Sequence, residues 1–132
     1  MHTLRNKLTT LAVALTMAAS AHAQVDRPLR ILVGFPAGGS ADLAARLIGE
    51  RMATELKQPV VIENKPGAGG RLAADVLKNA PADGSVWMLA PIVVPVLAPL
   101  VFAKLPYNAS TDFAPVAPVA NYQFGLSVNA SH

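Results

Sequence analysis

Apolar positions along this chain recur with two different periods, and the switches between them mark the elements. Leu29-Arg30-Ile31-Leu32-Val33-Gly34-Phe35 is a short apolar run directly after Pro28, which predicts a buried strand. The period then lengthens: Leu43, Leu47, Ile48, Met52 and Leu56 recur at helical spacing, with Arg46, Glu50, Arg51 and Lys57 largely on the other side. Ser40 is the expected N-cap of this helix, and Asp42 lies in its first turn, where a negative charge suits the dipole. Gln58-Pro59 ends it near Lys57. Val60-Val61-Ile62-Glu63 is rich in β-branched residues and predicts a second strand. A shorter helix is expected from Arg71 to Asn79, with Leu72, Ala73, Val76 and Leu77 on its apolar side. Asp83-Gly84 turns the chain into a third strand, Val86 to Ala90. Strand, helix, strand, helix, strand in this order predicts an α/β domain with a mainly parallel sheet and right-handed crossovers.

The stretch from Val86 to Phe102 carries no charge, which raises the alternative of a membrane-anchored protein. Pro91, Pro95 and Pro99 recur at every fourth residue, and each removes a helical hydrogen bond. A strand followed by an apolar, proline-rich connection is therefore expected. Beyond it, Lys104 to Asn108 and Asp112 to Val116 read as loops, and Tyr122 to Val128 as one more strand.

Two glycine-rich segments sit where strands give way to helices. They are Phe35-Pro36-Ala37-Gly38-Gly39-Ser40 and Lys65-Pro66-Gly67-Ala68-Gly69-Gly70. The first N–H groups of a helix lack internal partners, and the dipole places roughly half a positive charge there. Glycine lets the backbone approach a ligand that a Cβ would hold off. In parallel sheets ligands bind at the carboxyl ends of the strands, where both loops are expected. A negatively charged ligand between them is the simplest use of such a pair.

The ends of the chain change the charge balance. Met1 to Lys7 is basic, Leu8 to Ala19 is apolar, and Ser20-Ala21-His22-Ala23 offers an Ala-x-Ala site. These features predict a secretory signal peptide over residues 1–23, cleaved between Ala23 and Gln24. The apolar run is too short for a bilayer core of roughly 30 Å. Of the 11 lysines and arginines, Arg5 and Lys7 leave with the signal, so the remainder nearly balances the 8 acidic residues. A nearly neutral domain gives no reason to expect nucleic acid as a partner. There is no cysteine, which excludes disulfides, thiolate metal sites and a thiol nucleophile. His2 and His22 lie in the expected signal and His132 is the last residue of the sequence, so an imidazole general base is nearly excluded, which weakens a hydrolase reading. A secreted enzyme acting on an anionic substrate remains an alternative, with Ser40 its weak nucleophile candidate. No cofactor is expected.

Neither loop ends in the Gly-Lys-Ser/Thr of a nucleotide phosphate loop, and Leu72 stands where a dinucleotide fingerprint needs its third glycine. Glycines that merely make tight turns are the other alternative. A carboxylate fits better, because charge-assisted bonds from backbone N–H groups contribute on the order of 1.5–3 kcal/mol each. Two or three approach the roughly −8 kcal/mol of micromolar affinity. Asp42 beside such a site suits helix capping more than ligand contact, and Lys65 and Arg71 are either helpers or ordinary solvated charges. Trp87 belongs to the core more readily than to a stacking platform.

Arg30 to Asp42, with Ala45-Arg46 following, resembles the start of the Bordetella uptake gene family, the periplasmic solute-binding proteins of tripartite tricarboxylate transporters. Val60-Val61-Ile62-Glu63-Asn64-Lys65-Pro66-Gly67-Ala68-Gly69-Gly70 resembles that family's second landmark. Ala80 to Gly84, Leu105-Pro106-Tyr107 and Asp112 to Val116 match later ones in order. The resemblance implies a periplasmic-binding-protein-like, Venus-flytrap domain of three layers that captures a small di- or tricarboxylate for the transporter's membrane subunits. It carries the ligand role onto Phe35, Ala37, Gly38, Gly39, Ser40, Ala41 and Asp42, and onto Gly67, Ala68, Gly69 and Gly70. It further implies that residues 24–132 form the first part of domain 1 of a two-domain protein. The second domain and the segments returning to the first are then absent from this chain. Ser85 to Val94 is more apolar than the family's polar stretch after that strand.

Overall fold

The computed structural model describes residues 27–123 and 125–130, so the expected signal segment and its expected cleavage site lie outside the described residues. Strand β1 (Leu29–Val33) lies between β2 (Val60–Asn64) and β3 (Val86–Leu89), and both neighbours run parallel to it. Ile31 stands opposite Ile62 on one side and Trp87 on the other. The path from β1 to β2 carries helix α1 (Ser40–Leu56), and the path back across β1 to β3 carries α2 (Arg71–Lys78). Crossovers of one hand taken in opposite directions place these helices on opposite faces, which makes three layers. Ile31 and Val33 pack with Ala45 of α1, whereas Leu32 packs with Ala73 of α2 and with Val86. A strand covered on both faces is apolar on both, as Ile31, Leu32 and Val33 are, and Arg30 is the exception, paired with Glu63 of β2.

The helices meet the sheet through smaller residues than their leucine spacing predicts. Leu43 and Leu47 are each 59% exposed, and Leu56 is exposed too. The contact runs through Ala41, Ala45, Gly49 and Met52. A Cβ on Gly49 would stand 3.1 Å from Ile62 Cδ1 and 3.2 Å from Val60 Cγ1, so the helix axis lies close to β2. The leucine stripe instead borders an apolar groove lined by Leu29, Leu47, Leu56 and Trp87, at the amino-terminal end of the strands. In α2, Ala73 and Ala74 are the fully buried residues, while Leu72 and Val76 are exposed. Close helix–sheet approach selects alanine and glycine over leucine. Trp87 packs against the α1-side core, with its indole N–H donating to Gly84 O at 2.9 Å.

The apolar, proline-rich connection expected after β3 is present and is helical, although each of its prolines lacks the N–H of a helical hydrogen bond. Val93–Leu97 form a π-helical turn that runs into α3 (Ala98–Val101). Pro95 has no N–H to offer, and the N–H groups of Val96 and Leu97 both donate to Ile92 O, at 3.0 and 3.3 Å. The turn widens instead of breaking. Pro99 falls in the first turn of α3, where its missing donor costs nothing. Among the described residues no helix is long and apolar enough to cross a membrane.

The segment that follows clamps this connection against α2. The Tyr107 hydroxyl donates to Val94 O at 2.7 Å, and both residues are buried. Lys78 Nζ donates to Pro106 O at 2.9 Å and pairs with Asp112 at 3.3 Å. Phe113 packs on Tyr107 with ring centroids 5.4 Å apart. The expected strand over Tyr122 to Val128 does not form among the described residues, where Tyr122, Leu126 and Val128 are exposed. Its β propensity is met by no neighbouring strand, and a strand needs a partner to exist.

Candidate functional site

The two glycine loops leave the carboxyl ends of β1 and β2 and touch each other. A Cβ on Gly34 would lie 2.5 Å from the Gly70 Cα and 3.0 Å from its carbonyl oxygen. Gly70 has φ +90°, and a Cβ there would lie 3.0 Å from Val94 Cγ2 and 3.3 Å from the Phe35 ring. The Lys65 N–H donates to Val33 O at 2.8 Å and holds the second loop beside the end of β1. Segments from the ends of all three strands therefore meet at Gly34, Gly70 and Val94.

In the first loop, Ala37, Gly38, Gly39 and Ser40 are exposed, and Phe35 and Ala41 are half-buried. Gly39, in extended backbone, is the N-cap; Ser40 is the first helical residue, and no side chain caps the helix by a hydrogen bond. This corrects the expectation that Ser40 caps α1. The internal ladder begins with the Leu43 N–H donating to Gly39 O at 2.9 Å. The N–H groups of Ser40, Ala41 and Asp42 precede it and are the first-turn donors. In the second loop the Gly70 N–H is consumed by Gly67 O at 2.9 Å, and the Arg71 N–H by Ala68 O. The main-chain donors of Gly67, Ala68 and Gly69 come before this turn, and Ala68 and Gly69 are exposed. Gly70 thus serves the loop by its lack of a side chain.

Asp42 faces inward. It is 3% exposed, and its Oδ2 accepts from the Gly38 N–H and from Arg46 Nε, each at 2.9 Å. Its Oδ1 accepts from Asn64 Nδ2 at 2.9 Å. The Asn64 amide also donates to Phe35 O at 3.1 Å. Arg46, then the Gly38 N–H and Asn64, hold the Asp42 carboxyl far below the usual aspartate range. The carboxylate is occupied within the protein, in keeping with a local structural role.

The two candidate cations are engaged elsewhere. Lys65 Nζ lies 3.7 Å from Glu63, and the Arg71 guanidinium lies 3.8 Å above the centre of the Phe102 ring. Arg30 grips Glu63 with Nε and Nη2 at 2.5 and 2.8 Å across β1 and β2, and this bond lowers the Glu63 pKa most. Asp83 is lowered chiefly by the Ser85 hydroxyl, and Asp112 chiefly by the Asn108 N–H. Four carboxylates thus bind protons less readily when folded than when unfolded. Stability from them is complete above the ordinary values of 3.8 and 4.5 and is lost as pH falls through the lower folded values. Urea midpoints are expected to hold steady from about pH 7 to about pH 5 and to drop by about pH 3. A midpoint that rises on acidification contradicts these ion pairs.

Sequence reasoning did not single out Gly34, Asn64 or Val94 for the site. Gly34 reads as the tail of a strand, Asn64 as the start of a turn, and Val94 as filler in an apolar run. Only Asn64 left a signal, as a polar residue closing a strand of β-branched neighbours.

A three-layer α/β domain with main-chain donors gathered at the carboxyl ends of parallel strands has the architecture of a periplasmic binding protein. The model for the tripartite tricarboxylate transporter family receptor matches residues 44–132, and the chain belongs to that family. The likeness to Bordetella uptake gene proteins is borne out. A UPF0065 protein of Bordetella bronchiseptica is 40% identical over 113 residues, 86% of this chain and 34% of the relative. MatC from Rhodopseudomonas palustris, solved with bound malate, superposes with a TM-score of 0.68 at 40% identity, over 71% of this chain and 32% of that one. A second R. palustris protein, solved with adipate, gives 0.62 at 31% identity, over 65% of this chain and 29% of that one. The chain spans about a third of the length of the curated relatives it matches. The family is one of transporter receptors, binding proteins and not enzymes.

Proposed function

We propose that this chain builds one wall of a carboxylate-binding cleft in the periplasm, for a solute delivered to the membrane subunits of a tripartite tricarboxylate transporter. Residues 24–132 then form the first part of domain 1, following a signal peptide over residues 1–23, and the opposing wall belongs to a second domain. The observation that carries this is the contact of the two loops at Gly34 and Gly70. It brings the first-turn donors of α1 and those of Gly67 to Gly69 to one end of the sheet. Backbone donors suit a carboxylate because each N–H bond to an ionised oxygen is charge-assisted. The malate and adipate held by the two neighbours support that ligand class.

Malate is the probe for the test. Titrated into the 15N-labelled chain, it is expected to shift the amides of Ser40, Ala41, Ala68 and Gly69, with sodium chloride at equal ionic strength as the control. One wall leaves the ligand half solvated, so dissociation is expected on the order of 1 mM, about −4 kcal/mol. Shifts confined to other residues, or equal shifts with chloride, overturn the proposal. Turnover of an ester or phosphate is the result that favours an enzyme.

A further inference from the structure

We infer that Asn64 is the positioning residue that joins the two glycine loops into one anion site, acting through the buried carboxylate of Asp42. This rests on the carboxylate-binding function proposed above and assigns the element that shapes its site. Asn64 ends β2, immediately before the second loop, yet its side chain is bonded wholly to the first loop and its helix. Nδ2 donates to Phe35 O at 3.1 Å and to Asp42 Oδ1 at 2.9 Å, and Oδ1 accepts from Arg46 Nη2 at 3.4 Å. One amide thus contacts residues on both sides of the exposed Ala37 to Ser40 segment.

The consequence for the site follows from where each N–H group points. Asp42 Oδ2 draws the Gly38 N–H inward, at 2.9 Å, while Gly38 itself adopts φ +83°. With that donor spent, Ser40 and Ala41 are the next donors at the exposed end of α1. Asp42 is buried in the same first turn as these donors, and an unpartnered carboxylate there repels a bound anion. Arg46 donates to its Oδ2 and Asn64 to its Oδ1, which fixes its rotamer. An asparagine suits the position because one planar group must donate twice and accept once. Aspartate lacks the donors, and leucine lacks both functions.

Hydrogen exchange separates this role from general stability, because it reads each amide individually. In the full chain, Asn64→Leu is expected to raise the exchange rate of the Gly38 amide at least tenfold relative to the β1 amides of Ile31 and Val33. The conservative Asp42→Asn, which keeps an acceptor for the Gly38 N–H, is expected to retain part of that protection. It also keeps the test valid if Asn64→Leu loosens the whole fold. A merely structural residue changes Gly38 and β1 by the same factor, and that result overturns the inference, as does unchanged Gly38 protection. Malate is then titrated into the same variants, where the Ser40 and Ala41 shifts are expected to shrink in Asn64→Leu. If malate moves no amide in the unsubstituted chain, the carboxylate proposal fails, while the exchange data still decide whether Asn64 orders the loop.

Discussion

Gly34→Ala is expected to cost about 3 kcal/mol of stability, the upper part of the usual range for forcing extra volume into a packed site. The added methyl meets backbone, 2.5 Å from the Gly70 Cα, so no side-chain rotation relieves the clash. Either the second loop moves away from the first or β1 shifts against its neighbours. The β1 shift breaks the register that pairs Val33 with Asn64 and Leu89. Loop separation is the less costly path, and it takes the donors of Gly67 to Gly69 away from those of α1. Urea unfolding measures the first effect, and the second is read as loss of malate-induced shifts at Ala68 and Gly69 with those at Ser40 kept. A loss of stability below about 1 kcal/mol shows that the loops part easily and that their contact is incidental.

Ser40→Pro is expected to reduce malate affinity roughly tenfold or more while leaving the fold intact. Proline is favoured at the first helical position, since its fixed φ suits the helix and its missing N–H has no internal acceptor there. The preceding residue must be extended, and Gly39 already has φ −78° and ψ 170°. The substitution therefore removes one main-chain donor and little else. Losing a bond worth on the order of 1.5–3 kcal/mol corresponds to roughly ten- to hundredfold in affinity. Ser40→Ala separates the hydroxyl from the amide: if alanine weakens binding as much as proline, the side chain and not the backbone holds the ligand. Unchanged affinity in Ser40→Pro removes the first turn of α1 from the site.

Much of the fold was legible because strand and helix periods differ so clearly here. The boundaries of β1, β2, α1 and α2 fall within a residue or two of the hydrophobic pattern and its prolines. What misled was the identity of the buried face. Leu43, Leu47 and Leu56 mark a helix correctly, yet periodicity reports only that apolar residues share a side. Gly49 and Ala45 win the sheet because the closeness of approach decides the contact, and that closeness is a property of two elements together. The same limit explains Pro95. Its ring forbids an ordinary helical bond, but Ile92 O accepts two donors and keeps the turn, stabilised by Val94 buried under Tyr107.

The candidate site divides in the same way. Glycine spacing, strand order and the lack of cysteine already pointed to a backbone anion site, and the ordered motifs from Arg30 to Val116 resembled the Bordetella uptake gene family. These are one-dimensional properties: positive φ, missing N–H partners at helix starts and absent side-chain chemistry can all be read in order along the chain. Only the tertiary structure decided that Gly34 must be glycine, that Gly70 serves by its absent side chain and that Asp42 is turned inward. It also brought Asn64 across from β2 to bind the first loop. Each depends on which segments β2-β1-β3 pairing brings within a few ångströms, and contact between residues distant in sequence leaves no local pattern to read.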